Sequence, residues 1–89
     1  MKQTLLQVGD KVRIREDIRE SIYYEMKTYN YSNCYLYDKM AKPGSLVTIK
    51  KTQETGYRLV EEDFFTYTDE MFEPELIEFL YEEYLENNK

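Results

Sequence analysis

Histidine and tryptophan are absent from these 89 residues, and cysteine occurs once, at Cys34. Without imidazole the chain has no Cys–His or Ser–His pair, which closes the common routes to an activated nucleophile. One thiol and no histidine leave zinc without a ligand set. The acidic clusters do not follow the ordered oxygen pattern of an EF-hand. The three glycines, at positions 9, 44 and 56, lie too far apart to cradle a phosphate. These absences predict a protein that is not an enzyme and needs no metal or cofactor. A lone cysteine also excludes an internal disulfide. A small extracellular domain would usually carry several, so the expectation is a reducing compartment. Residues 1–10 contain no apolar run of signal-peptide length, and nothing later is apolar enough to span a bilayer. The sequence thus reads as cytoplasmic, with no membrane partner.

What the chain has instead is tyrosine and charge. Ten tyrosines and four phenylalanines stand in one small domain. Such a domain buries only about 60–65 % of its unfolded surface. Tyrosine suits a thin core, because its ring packs while its hydroxyl stays wet. The net charge of −6 is unevenly divided. Residues 61–89 hold eleven acids against Lys89 alone, a net of −10, whereas residues 1–60 hold eleven bases and seven acids, a net of +4. Asymmetry of this kind bears on partners and solubility rather than on fold. The simplest reading is that the acids solvate an exposed helix.

Along the chain, Val12 and Ile14 alternate with Lys11, Arg13 and Arg15, which predicts a strand over 11–15. Ile18, Ile22 and Met26 then recur every four residues, and Asp17 with Glu20 resembles a capping box. This predicts a short helix over 18–27, with an irregular loop carrying one helical turn as the alternative. Tyr29, Tyr31, Tyr35 and Tyr37 alternate on either side of Ser32-Asn33-Cys34. That pattern fits a hairpin turning at those three residues, or a tyrosine-rich loop folded over the core. Residues 45–51, 57–60 and 64–67 read as three further strands, joined by a glycine-closed loop at 52–56 and a polar turn at 61–63. Residues 68–71 read as one helical turn capped by Thr68 or Asp69. Pro74 suits a first helical position, and a helix follows over 75–88. Leu76, Ile77, Leu80, Tyr81, Tyr84 and Leu85 cover one half of its wheel and Glu75, Glu78, Glu82, Glu83 and Glu86 the other. Only Phe79 breaks the separation.

Four stretches carry a family resemblance: Val8-Gly9-Asp10-Lys11-Val12, Gly44-Ser45-Leu46-Val47-Thr48-Ile49, Tyr57-Arg58-Leu59-Val60-Glu61-Glu62, and residues 65–72. In that order they resemble the SH3-like barrels, most closely the compact version in Mind-bomb-type repeats and in small proteins of bacteriophages and Gram-positive mobile elements. The match covers residues 8–15 and 44–73. It departs from the pattern in the long tyrosine-rich excursion over 16–42 and in the acidic helix appended from Pro74. The resemblance implies a mainly β fold with some α: a small, partly open SH3-like barrel of four to five strands over 1–73. The helix over 74–89 belongs to the same domain. Members of this family are mostly binding modules, which implies a binder without naming its ligand.

Protein binding therefore leads the functional expectations. Tyr29, Tyr31, Tyr35 and Tyr37, with Phe65 and Tyr67, are expected to form a contact surface, because tyrosine anchors lose little rotamer entropy. Glu78, Glu82 and Glu86 on the acidic helix extend it. The competing expectation is that half of these tyrosines fill the core. The glutamate row could also imitate phosphates and occupy a basic groove on a nucleic-acid-binding protein. With the resemblance to phage proteins, this implies an inhibitor of a host defence nuclease of the anti-CRISPR or anti-restriction kind. Direct nucleic-acid binding by Lys11, Arg13, Arg15, Lys50, Lys51 and Arg58 comes third, since the chain's overall acidity repels phosphate. A homodimer through the helix's apolar stripe is a further alternative.

Overall fold

A computed structural model of the chain describes residues 4–34 and 40–87. Lys11–Arg13 forms strand β1, with Val12 buried between two exposed bases, as the alternation predicts. It runs antiparallel to β4 (Leu46–Gln53), placing Val12 opposite Val47. Strand β4 in turn pairs antiparallel with β5 (Gly56–Leu59), and a register shift between Ile49 and Lys51 marks a bulge. The sheet order is β1-β4-β5. A second, two-stranded antiparallel sheet joins β2 (Tyr23–Glu25) to β3 (Ser32–Cys34). The hairpin from β4 to β5 closes at Gly56, whose φ of 142° is left to glycine; a Cβ there would lie 2.2 Å from the Tyr67 carbonyl oxygen.

The chain after β5 returns to both outer edges of the three-stranded sheet. Tyr67 exchanges both backbone hydrogen bonds with Tyr57 on β5, at 2.7 and 2.9 Å. Phe72 bridges Ile14, just beyond β1, and the Glu73 N–H donates to the Arg13 carbonyl at 3.1 Å. These are isolated bridges rather than ladders, and no closed barrel forms among the described residues. A 3₁₀ turn (Asp69–Met71) lies between the two bridges, and helix α1 (Pro74–Asn87) leaves from the second. The core gathers where these elements meet. Val12, Ile14, Val47, Ile49, Leu59 and Met71 surround the buried rings of Tyr57, Tyr67 and Phe72.

Four local expectations are corrected. Residues 18–27 are not helical: Ser21 has φ of 67°, Ile22 is exposed, and Tyr23–Glu25 is a strand. A spacing of four fits a period of two as well as one of 3.6, and buried Tyr24, Met26 and Thr28 decide for the strand-like period. Ser32-Asn33-Cys34 is not a turn but β3 itself; the hairpin turns instead over 26–31, where the Met26 N–H donates to the Tyr31 carbonyl at 2.8 Å. Residues 64–67 make no strand beyond the Tyr67 bridge. The N–H groups of Phe64 and Phe65 both point to the Glu62 carboxylate, which removes them from any ladder. The predicted turn at 68–71 is present, but Thr68 provides no side-chain cap, and Asp69 is buried inside the turn rather than capping it.

Candidate protein-binding surface

Helix α1 is fourteen residues, about 21 Å, and its only buried residue is Ile77, 2 % exposed. Leu76, Leu80, Tyr81 and Tyr84 are half-buried on the same side. At about 100° per residue, Phe79 lies about 160° around the axis from Ile77, and so faces outward. It is 58 % exposed. Glu75, Glu82, Glu83 and Glu86 fall within about 60° of it and are all exposed. Glu78 and Leu85 border one side of this stripe, about 100° and 120° from Phe79, both exposed. Phe79, Leu85, Glu82, Glu83 and Glu86 line a shallow depression of about 500 Å³. Between Pro74 and Asn87 there are five glutamates and no base. The last turn carries no basic residue, so Glu83 and Glu86 oppose the helix dipole at a cost of about a few tenths of a kcal/mol each. Their placement does not serve the helix.

The tyrosines do other work. Tyr67, 0 % exposed, is a core residue. Its hydroxyl donates to Glu62 Oε1 and accepts the Ala41 N–H, both at 2.7 Å. It is thereby withdrawn from the expected contact surface, because a thin core has recruited its ring. Tyr29 and Tyr31 are half-buried against that core. The Tyr29 hydroxyl is held above the usual phenol range by burial, with Glu54 and Tyr84 adding to the effect. Beside the helix, the rings of Tyr81 and Tyr84 stack at 6.2 Å and Lys27 Nζ lies 5.2 Å from the Tyr81 ring centre. This is a seam that docks the helix. Tyr35 and Tyr37 lie outside the described residues. Phe65 is half-buried beneath Phe64, 5.1 Å away, and it is Phe64, at 81 % exposure, that stands in solvent. Sequence reasoning missed Phe64 and gave Phe79 no role. The signals were an aromatic doublet whose members cannot both face inward, and a lone aromatic on a polar helix face.

The basic strand face is largely neutralised by the protein's own acids. Lys50 Nζ lies 2.6 Å from Asp63, whose carboxyl this contact holds below its ordinary range. Arg58 Nη1 lies 3.8 Å from the same carboxylate. Arg13 lies 3.8 Å from Glu73. Arg15 turns inward, donating to Asp17 at 2.7 Å and to the Glu70 carbonyl at 3.0 Å. The Glu61 carboxylate accepts the Thr48 N–H at 2.7 Å, which lowers its pKa. A recess of about 490 Å³ between Arg13, Arg15, Glu16, Asp17, Glu73 and Glu75 mixes both signs. Among the described residues no helix is long and apolar enough to cross a membrane. Comparison with family models, with curated proteins and with solved structures finds no match. The geometry of the surface alone therefore carries the functional argument.

Proposed function

We propose that this chain is a non-catalytic protein-binding domain that engages a basic protein through the outward face of α1. One observation carries the reading: a helix docked through Ile77 and its half-buried neighbours turns four carboxylates and the exposed Phe79 to solvent, with Glu78 and Leu85 beside them and no base between Pro74 and Asn87. The β part serves as the platform. Its antiparallel β1-β4-β5 order, and a later segment touching both sheet edges, support the SH3-like reading of that platform. Tyr29 and Tyr31 contribute no more than their exposed edges. The pairing of Arg13, Arg15, Lys50 and Arg58 with the chain's own carboxylates weighs against direct nucleic-acid binding.

A second reading is mimicry of nucleic acid in an inhibitor of a host defence nuclease. It is favoured by Glu78, Glu82 and Glu86, which repeat every four residues and so stand about 6 Å apart along the axis. One experiment addresses both. Immobilised protein is used to capture partners from lysate, with salt elution and competition by duplex DNA. The reading expects capture that the combined Glu78→Lys, Glu82→Lys, Glu86→Lys variant loses. Retention by that variant would sink it, and mimicry further requires that DNA displace the captured partner.

A further inference from the structure

We infer that the partner offers an apolar socket within a basic groove, and that Phe79 is the side chain that enters it. The inference rests on the acidic-helix reading above and names the chemistry of its partner. A protein solvating a helix with glutamates has no need of an exposed phenylalanine at the centre of the glutamate stripe. An aromatic with few rotatable bonds, ringed by charges that close around the contact, is the make-up of a binding anchor. Its spacing to Glu82, Glu83 and Glu86 is i+3, i+4 and i+7, the stripe that a helix laid into a groove presents.

Charge complementarity selects the occupant. A second copy of this chain would bring glutamates against glutamates, since residues 74–87 contain no lysine or arginine. An anionic membrane surface repels the same stripe. A basic groove lined only for phosphate would leave the Phe79 ring unburied. A groove combining lysines or arginines with an apolar floor satisfies both features at once.

Two synthetic amphipathic helices serve as probes, one with a lysine face and a leucine stripe, the other with serines replacing the leucines. The wild-type protein is expected to bind the leucine probe about tenfold more tightly than the serine probe. Phe79→Ser removes that preference without changing the melting temperature, and the Glu82→Lys, Glu83→Lys, Glu86→Lys variant loses both probes. Equal affinity of the wild type for the two probes, or a preference that survives Phe79→Ser, overturns the socket while leaving the acidic-helix reading in place. Failure of the wild type to bind either probe removes that reading as well. A dimer in sedimentation velocity that Phe79→Ser dissociates would assign the face to a second copy and overturn the inference.

Discussion

The Tyr57 hydroxyl donates to Asp69 Oδ1 at 2.5 Å, with both side chains buried. The same hydroxyl accepts the Leu6 N–H at 3.2 Å, and Asp69 Oδ2 accepts the Lys27 N–H at 2.8 Å. One phenol–carboxylate pair thus ties four parts of the chain together: the N-terminal segment, the β2–β3 turn, β5 and the 3₁₀ turn. Tyr57→Phe leaves the Leu6 N–H and one carboxylate oxygen without their partner in the interior. The expected loss is about 2–3 kcal/mol in urea unfolding. A loss under about 0.5 kcal/mol would mean that the pair is dispensable.

Burial pushes the Asp69 carboxyl above its ordinary value of 3.8, against the opposing hydrogen bonds from Tyr57 and Lys27. The folded state therefore takes up a proton at a pH where the unfolded chain is already ionised. Between 3.8 and the raised folded value, this group's contribution to stability falls as pH rises. Wild type should gain stability relative to Asp69→Asn as pH is lowered through that window. Unfolding measured for both proteins over a pH series reads the difference, and a difference that stays flat contradicts the assignment.

Helix α1 hangs on Ile77. Ile77→Ala is expected to cost about 2–4 kcal/mol and to loosen the helix from the tyrosine seam. The outward-facing Phe79→Ser should change stability by less than about 0.5 kcal/mol. Thermal melts followed by far-ultraviolet circular dichroism compare the two. Equal effects would mean that the helix is not docked as described.

The Glu62 carboxylate takes the N–H groups of Phe64 and Phe65 and the hydroxyl of Tyr67. Glu62→Ala should free the loop that presents Phe64, with a loss of about 1–3 kcal/mol. Amide hydrogen exchange at Phe64 and Phe65 should accelerate more than at β4. Unchanged exchange at these two amides would refute the role.

Elements whose signal is local were legible in the residues. Val12 between two bases, the β-branched run into β4, the glycine closing the hairpin at Gly56 and the proline opening α1 each act through their own backbone or their nearest neighbours. The period of four at Ile18, Ile22 and Met26 was not decisive, because strands satisfy it too. The hairpin over 23–34 formed with its turn at 26–31, because β2 found its partner in residues that look like a turn. Among the site residues, the exposure of Glu78, Glu82 and Glu86 followed from the helical wheel.

By itself the sequence determined that histidine-based and zinc chemistry have no residues to work with, and that negative charge is concentrated in residues 61–89. Only the tertiary structure decided that Tyr67 belongs to the core, that Tyr29 packs half-buried against it, and which of Phe64 and Phe65 faces solvent. The reason is physical. Periodicity and turn chemistry act over a few residues, whereas burial of a ring depends on what arrives from far along the chain. The Lys27 N–H meets the Asp69 carboxylate across 42 residues, and no local pattern records that meeting.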